Sequence, residues 1–368
     1  MANEHSDPSG DAEPDGDTGS DSGLESGLDS GLDIFLSGTV FLDIVFTGML
    51  TPPSGGHEVW TDGMGSSPGG VATLAVACAR LGLTTSLAAA FGGDVYGDYC
   101  WQVLADSEGI DLSHSRRFAG WHSPVTVSLA LDDDRAMVTH AHPAPVPMDE
   151  LVPDAPISRV GFVDATEDRA GWVDQAAERG TLLFADVGWD ATQRWDAPAL
   201  RHRLRGCHAF VPNQVEAMAY TGTSSPGAAL NVLRDWVPLA VVTCGSGGAF
   251  ATDNTTGETA WAPAVPVDML DPTGAGDVFL AGLVVGTLRG WPLQQRLRFA
   301  NLVAALSVRD FGGALASPGW GAVHDWWLAT GSADRHASDF AFLHDLVPAD
   351  PTRVFDRASA TIGLRRAQ

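Results

Sequence analysis

Apolar and polar positions change period repeatedly along the chain, and those changes divide it into alternating elements. The run "IFLSGTVFLDIVF", from Ile34 to Phe46, is rich in β-branched and aromatic residues and predicts a buried strand. A Gly/Pro-rich excursion follows. Then "VATLAVACARLGL" brings small and apolar residues that predict a packed helix, with Gly82 as its stop. "TTSLAAAFG" predicts the next strand, and "YGDYCWQVLADSEGI" has apolar residues at helical spacing. Downstream, "RVGFVDA" and "TLLFADV" predict strands on either side of a helical "RAGWVDQAAERG". "HAFVPN" and "LAVVTCG" frame another helix that begins near Gln214. Strands alternating with helices in this way predict an α/β fold with a mostly parallel sheet covered on both faces. One stretch breaks the rhythm: "SPVTVSLALDDDRAMVTHAH" predicts two strands around an acidic turn, a hairpin able to serve as a lid.

Residues 1–33 contain ten acidic and no basic residues, with the tetrapeptide SGL(E/D) repeated three times from Ser22 to Asp33. Such a segment buries too little apolar surface to offset its chain entropy, so disorder is expected there. The folded unit is expected over 34–320, with lid segments at about 44–66 and 121–142. The tail 321–368, with Trp326 and Trp327 and two proline breaks, reads as an extension packing on or trailing that unit.

Length and charge narrow the function. The 368 residues are 45% hydrophobic and 18% charged, enough for a sizeable core. The formal net charge is −25, and the 21 basic residues are all arginine. A nucleic acid is repelled by such a chain, and mechanisms that need lysine, among them Schiff-base chemistry and the Walker A loop, are excluded. Four cysteines without CxxC spacing predict buried thiols in a reducing compartment. No apolar leader and no run of about 18 apolar residues is found. A cytoplasmic protein with no membrane contact is expected.

The densest chemistry sits in "DPTGAGDVFLAGL", Asp271 to Leu283. It is not a dinucleotide fingerprint, because Phe279 stands where a third glycine is required. Small residues leave the N–H groups of Gly274, Ala275 and Gly276 able to point at an anion, and a helix starting there adds its dipole. Asp277 beside such a pocket suits phosphoryl transfer, accepting the proton of an attacking hydroxyl while the amides hold the transferred group. The plainer reading makes Asp277 a helix N-cap. A hydrolase elbow at "GSSPG", residues 65–69, fails because Pro68 lacks the N–H that its oxyanion hole needs. His140 and His142 share a strand face and suit zinc less well than a solvated lid. Asn254-Thr255-Thr256 matches a glycosylation acceptor, irrelevant without secretion.

"DPTGAGDVFLAGL" resembles the C-terminal signature of the PfkB (ribokinase-like) carbohydrate kinases, and other motifs follow in that family's order over about residues 34–320. "SGTVFLDIVF" resembles the family's first strand, whose acid, here Asp43, holds substrate hydroxyls. "PGGVATLAVACARLG" resembles its N-terminal signature, with Gly69 and Gly70 as the di-glycine beside the sugar. "FGGDVYGD" follows as its Gly-Asp turn. "VPNQVEAMAYTG" resembles its Asn-x-x-Glu motif, which implies that Asn213 and Glu216 position Mg2+, through water, and phosphates. "VVTCGSGGA" implicates Thr243 and Gly245 in nucleotide binding, and "FANLVAALSV" implicates Asn301 beside the adenine. Thr73 stands where the family usually has a sugar-contacting Asn, which leaves substrate choice open. The family's monovalent-cation site, with K+ as the ion, maps loosely onto Asp271 and Ser317, with carbonyls near Gly313.

The resemblance implies a ribokinase-like sheet with a small β lid, and ATP-dependent phosphorylation of a sugar or sugar-like polyol with Mg2+. Asp277 is the general base, expected to have a low pKa at its helix N-terminus. Lid closure would exclude water. A nucleoside kinase is the alternative within the fold, with Trp60 or Trp121 facing a base. A catalytically silent binding protein is the alternative outside enzymology. Lid strands that pair between subunits would give a homodimer.

Overall fold

The apolar run from Ile34 folds as two strands in different sheets, not as one. In the computed structural model the described residues are 31–49, 51–131, 134–188, 193–330, 338–344 and 346. The disorder expected for 1–33 falls outside them except at residues 31–33, as does most of the tail beyond residue 330. β1 (Ile34–Ser37) belongs to the central sheet, and β2 (Val40–Thr47) to a smaller one. The Gly/Pro excursion leads into β3 (Gly63–Gly70), which runs directly into α1 (Val71–Arg80). "TTSLAAAFG" also divides, into β4 (Thr85–Ala88) and β5 (Ala90–Gly92). Hydrophobicity marks both runs as buried but carries no sign of which sheet receives each half.

The remaining elements keep the predicted alternation. α2 (Val95–Gln102) continues as a π turn and is followed by β6 (Arg116–Phe118) and the hairpin β7 (Val125–Leu131) and β8 (Asp134–His140). Then come α3 (Met148–Leu151), β9 (Val160–Asp164), α4 (Gly171–Glu178), β10 (Leu182–Asp186) and α5 (Ala197–Arg203). β11 (Ala209–Phe210) precedes α6 (Gln214–Thr221), α7 (Pro226–Leu233) and β12 (Leu239–Thr243). A second hairpin, β13 (Ala249–Asp253) and β14 (Glu258–Ala262), was not foreseen. α8 (Ala275–Leu288), α9 (Leu293–Ser307) and α10 (Trp320–Thr330) complete the order.

The central sheet has eight strands in the order β14-β13-β12-β11-β10-β9-β1-β4, parallel from β12 to β4, with β13 antiparallel to both its neighbours. Strand period two sends alternate residues to opposite cores. Ile34 and Leu36 join α1, α8 and α9 on one face, whereas Phe35 joins α4, α6 and α7 on the other. Leu239 and Val241 divide from Ala240 and Val242 in the same way. This is the α/β architecture, a mostly parallel sheet covered on both faces, that the alternation predicted.

The second sheet, β3-β2-β7-β8, stands apart from the first; β2 pairs antiparallel with β3 and parallel with β7. Its strands lie in and around the two segments predicted for the lid. Past residue 320 the chain packs on α9: Trp320 stacks on Phe299 with ring centroids 5.3 Å apart and donates to the Leu81 carbonyl at 2.8 Å. Among the described residues no helix is long and apolar enough to cross a membrane.

Candidate active site

Parallel strands end together, and acidic side chains collect where they end. β9 and β10 terminate in Asp164 and Asp186, which pair in register. β11 leads to Asn213, which bridges to Thr243 at the end of β12. Burial raises the pKa of Asp186 well above the usual carboxylate range, and the charges of Glu216, Asp277 and Asp164 add to it. These four carboxylates therefore lie within electrostatic reach of one another, although Glu216 and Asp277 come from segments far apart in sequence.

The lid sheet brings in the N-terminal motif. Asp43 on β2 lies over β3, and a Cβ on Gly69 would fall on its carboxylate. Only glycine permits that approach. Gly70 follows with φ 63° and turns the chain into α1. In the first turn of α1, the buried Thr73 packs its methyl where a Cβ on Gly274 would sit, 2.6 Å away. Gly274 has φ 78° and caps the N-terminus of α8. Thr73 thus joins the two glycine motifs by packing.

Asp277 sits in the first turn of α8, half-buried. Its pKa is raised from 3.8 to about 7, first by burial and then by the negative charges of Asp43 and Asp164. The low value expected from the helix dipole does not hold. A helix terminus is worth about one pH unit at most, and the expectation left out two acids that only the fold brings near. Of the three amides proposed to hold an anion, that of Ala275 already leans on the Pro272 carbonyl at 3.3 Å. Gly276 is exposed, so the turn opens to solvent.

Asn213 and Glu216 form a capping box at α6. The Asn213 side chain accepts from the amides of Val215 and Glu216 at 2.9 and 3.1 Å, and Glu216 accepts from the Asn213 amide at 2.9 Å. Burial raises the pKa of Glu216. Among the described residues no three acidic, histidine or cysteine side chains come close enough to hold a metal directly. Glu216 is buried and Asp186 and Asp277 are half-buried, a set of carboxylates that fits a hard ion such as Mg2+.

Gly245 opens the turn after β12 with φ 52°. At its far end, a Cβ on Gly248 would overlap the carbonyl of Ala262, so this turn lies against the end of β14. Asn301 on α9 donates to the carbonyls of Ala262 and Pro263, both at 3.0 Å. Its amide hydrogens fasten the loop, and a cavity of about 240 Å3 opens where that loop passes Pro263, lined also by Val265, Arg298, Trp326 and Phe340. Trp60 is 83% exposed, and Trp121 donates to the Pro143 carbonyl at 3.0 Å.

Asp271 is buried with one oxygen accepting from the Thr273 amide at 3.0 Å, while Oδ2 has no partner among the described residues. Ser317 Oγ is equally orphaned. A buried carboxylate oxygen and a hydroxyl without donors suit a monovalent cation. The sequence reading missed Asp164 and Asp186. A signal existed, since "GFVDA" and "LFADV" both place an acid at the C-terminal end of a parallel strand.

Known proteins resemble this chain in sequence and in fold. The pfkB family carbohydrate kinase model matches residues 58–319. A nucleoside kinase from Methanothermobacter thermautotrophicus is 28% identical over 253 residues, which cover 66% of this chain and 79% of that protein. Fructoselysine 6-kinase from Escherichia coli is 26% identical, covering 67% and 91%. The structure of a putative ribokinase II from E. coli in complex with ATP and Mg2+ superposes with a TM-score of 0.67 at 19% identity, over 81% of this chain and 99% of that one. The chain belongs to the PfkB family of carbohydrate kinases.

Proposed function

We propose that this kinase transfers a phosphoryl group from ATP to a hydroxyl of a sugar or sugar-like polyol, with Asp277 as general base. The observation that carries the reading is the convergence at one place of Asp43, Gly69 and the turn of Gly274 and Asp277, three segments far apart in sequence. Asp43 and the backbone at Gly69 and Gly70 hold the acceptor's hydroxyls, and two adjacent acceptors of hydrogen bonds favour a diol over a simple alcohol. Thr73 shapes the floor of that site. Asp277 takes the hydroxyl proton, and the turn of Gly274, Ala275 and Gly276 faces the transferred group.

Mg2+, when bound with ATP, offsets phosphate charge that a chain this acidic would otherwise repel. Glu216 and Asn213 hold its water shell, and Asp186 and Asp164 extend the same acidic surface. Thr243, Gly245 and Asn301 line the nucleotide side, and the cavity at Pro263 supports a place for the base. Asp271 and Ser317, with their orphaned oxygens, hold a monovalent cation such as K+. The β2–β3 and β7–β8 strands act as the lid. Met137 and Val138 are exposed on its edge strand β8, which supports pairing with a second copy.

The similarity to a nucleoside kinase favours one second reading, a ribose-bearing nucleoside as acceptor, since its diol meets Asp43 in the same way. The test is ADP release, coupled to a second enzyme, across a panel of sugars, polyols and nucleosides. A sugar turning over at least tenfold faster than any nucleoside supports the first reading, and the reverse ranking supports the second. If no alcohol in the panel accelerates ADP release, the chain is a silent binding protein and the kinase mechanism falls.

A further inference from the structure

Among the described residues, four buried side-chain atoms have no hydrogen-bond partner: Ser67 Oγ, His208 Nε2, Asp271 Oδ2 and Ser317 Oγ. His208 stands at the start of β11, away from the others. The other three belong to segments that meet around Gly313. A Cβ there would lie 3.5 Å from Ser67 Oγ and 3.7 Å from the methyl of Thr273. Thr273 is in turn tied to Asp271. Ser317 closes the 3-10 turn that begins at Gly313, its amide donating to the Ala314 carbonyl at 3.1 Å. Ser67, Asp271 and Ser317 are 0%, 5% and 3% exposed, so bulk water does not satisfy them.

One orphaned hydroxyl in a core costs about 1–3 kcal/mol, and an orphaned carboxylate oxygen more. Three such oxygens, carried by segments that meet at one turn, suit a common partner. The set is all oxygen with a single formal charge, which suits a monovalent ion better than a divalent one. Arg80 does not supply that charge. Its guanidinium is matched by the buried Glu108 at 2.7 and 3.0 Å, and it grips the turn from its other side through the carbonyls of Leu315 and Ser317, both at 2.8 Å.

We propose that Ser67 Oγ is a third side-chain donor to the monovalent-cation site of Asp271 and Ser317, so that cation occupancy fixes lid strand β3. The proposal rests on the cation reading of Asp271 and Ser317 given above. Ser67 pairs in register with Asp43 and precedes Gly69 by two residues. A cation held at Ser67 therefore braces the strand on which the acceptor's floor is built, before any acceptor arrives.

Thermal unfolding and hydrogen exchange of the full chain test this without nucleotide or acceptor, with KCl replacing choline chloride at constant ionic strength. Wild type is expected to show a saturable rise in Tm with K+ and slower exchange of the amides of residues 63–70. Ser67→Ala is expected to raise its Tm in choline, because it removes a buried hydroxyl that has no partner there, but to need at least about fivefold more K+ for half of the rise. K+ should no longer slow exchange in its β3. Ser67→Cys, close in volume with a soft sulfur, should follow Ser67→Ala and guards against a packing artefact. If both variants respond to K+ as wild type does while Asp271→Asn loses the response, the role of Ser67 is overturned and the cation site stands. If wild type itself does not respond to K+, the cation reading falls and this inference falls with it.

Discussion

Replacing Asp277 with Asn should disable the enzyme and stabilise it at once, because the fold disfavours the charge that catalysis needs. The group titrates near 7 in the folded chain against an ordinary value of 3.8. At about 1.4 kcal/mol per pH unit, the ionised carboxylate costs on the order of 4 kcal/mol as a ceiling. Partial exposure to solvent screens some of that, so the working range is about 2–4 kcal/mol.

The sign follows from the raised pKa. The folded state binds the proton more tightly than the unfolded chain, so the associated stability is complete below about pH 4 and is lost as pH rises to about 7. Asparagine resembles the protonated acid at every pH. The Tm of Asp277→Asn minus that of wild type should therefore grow from near zero at pH 4 to roughly 4 °C at pH 7, and stay level above. At pH 7 and above, kcat/KM should fall by about 10²–10⁴ relative to wild type. Differential scanning calorimetry across pH, paired with ADP release, measures both. A Tm difference that does not vary with pH, or a less stable variant at pH 8, would refute the claim that burial and two neighbouring acids raise this carboxylate.

Three further outcomes follow from the same geometry. The acid limb of kcat/KM for the wild-type enzyme should break near pH 7 and fall about tenfold per pH unit below it, because only the ionised base is competent; a limb that stays flat to pH 5 sinks the assignment. Gly69→Ala should raise the KM of the acceptor by more than about tenfold and leave that of ATP unchanged, since its methyl falls on the Asp43 carboxylate; equal effects on both substrates would argue against an acceptor site there. Arg80→Met should destabilise by about 3–5 kcal/mol in chemical denaturation by leaving Glu108 buried without its partner, and a loss below 1 kcal/mol would show that the pair is dispensable.

How much was legible in the sequence depended on whether the cause was local. The start of α6 at Gln214 was readable because Asn213 and Glu216 write their own capping box. The start of α8 behind Gly274 was readable for a similar reason. The strand runs at Ile34 and Thr84 misled, because an apolar stretch declares burial without declaring which sheet buries it. The β13–β14 hairpin was overlooked although Gly257 at its turn has φ 76°. Its residues alternate less clearly than those of β7. The proposed site residues within motifs were reached through turn chemistry and resemblance, whereas Asp164 and Asp186 lie outside any motif and acquire meaning only where strand ends meet. Thr73 and Gly274 could not be paired from sequence, since some 200 residues separate them.

The pKa of Asp277 was illegible for the same physical reason, and its value changes how the base works. An aspartate at 3.8 would be fully ionised at neutral pH but a poor acceptor for a sugar's proton. At about 7, roughly half of it is ionised, and its affinity for a proton is about a thousandfold higher. Even a modest Brønsted sensitivity outweighs that twofold loss of population. Asp43 has a share in both effects, since the carboxylate proposed to hold the acceptor's hydroxyls also makes the largest charge contribution at the proposed base. Neutralising Asp43 should therefore weaken acceptor binding and basicity together, which places recognition and proton transfer under one pair of acids.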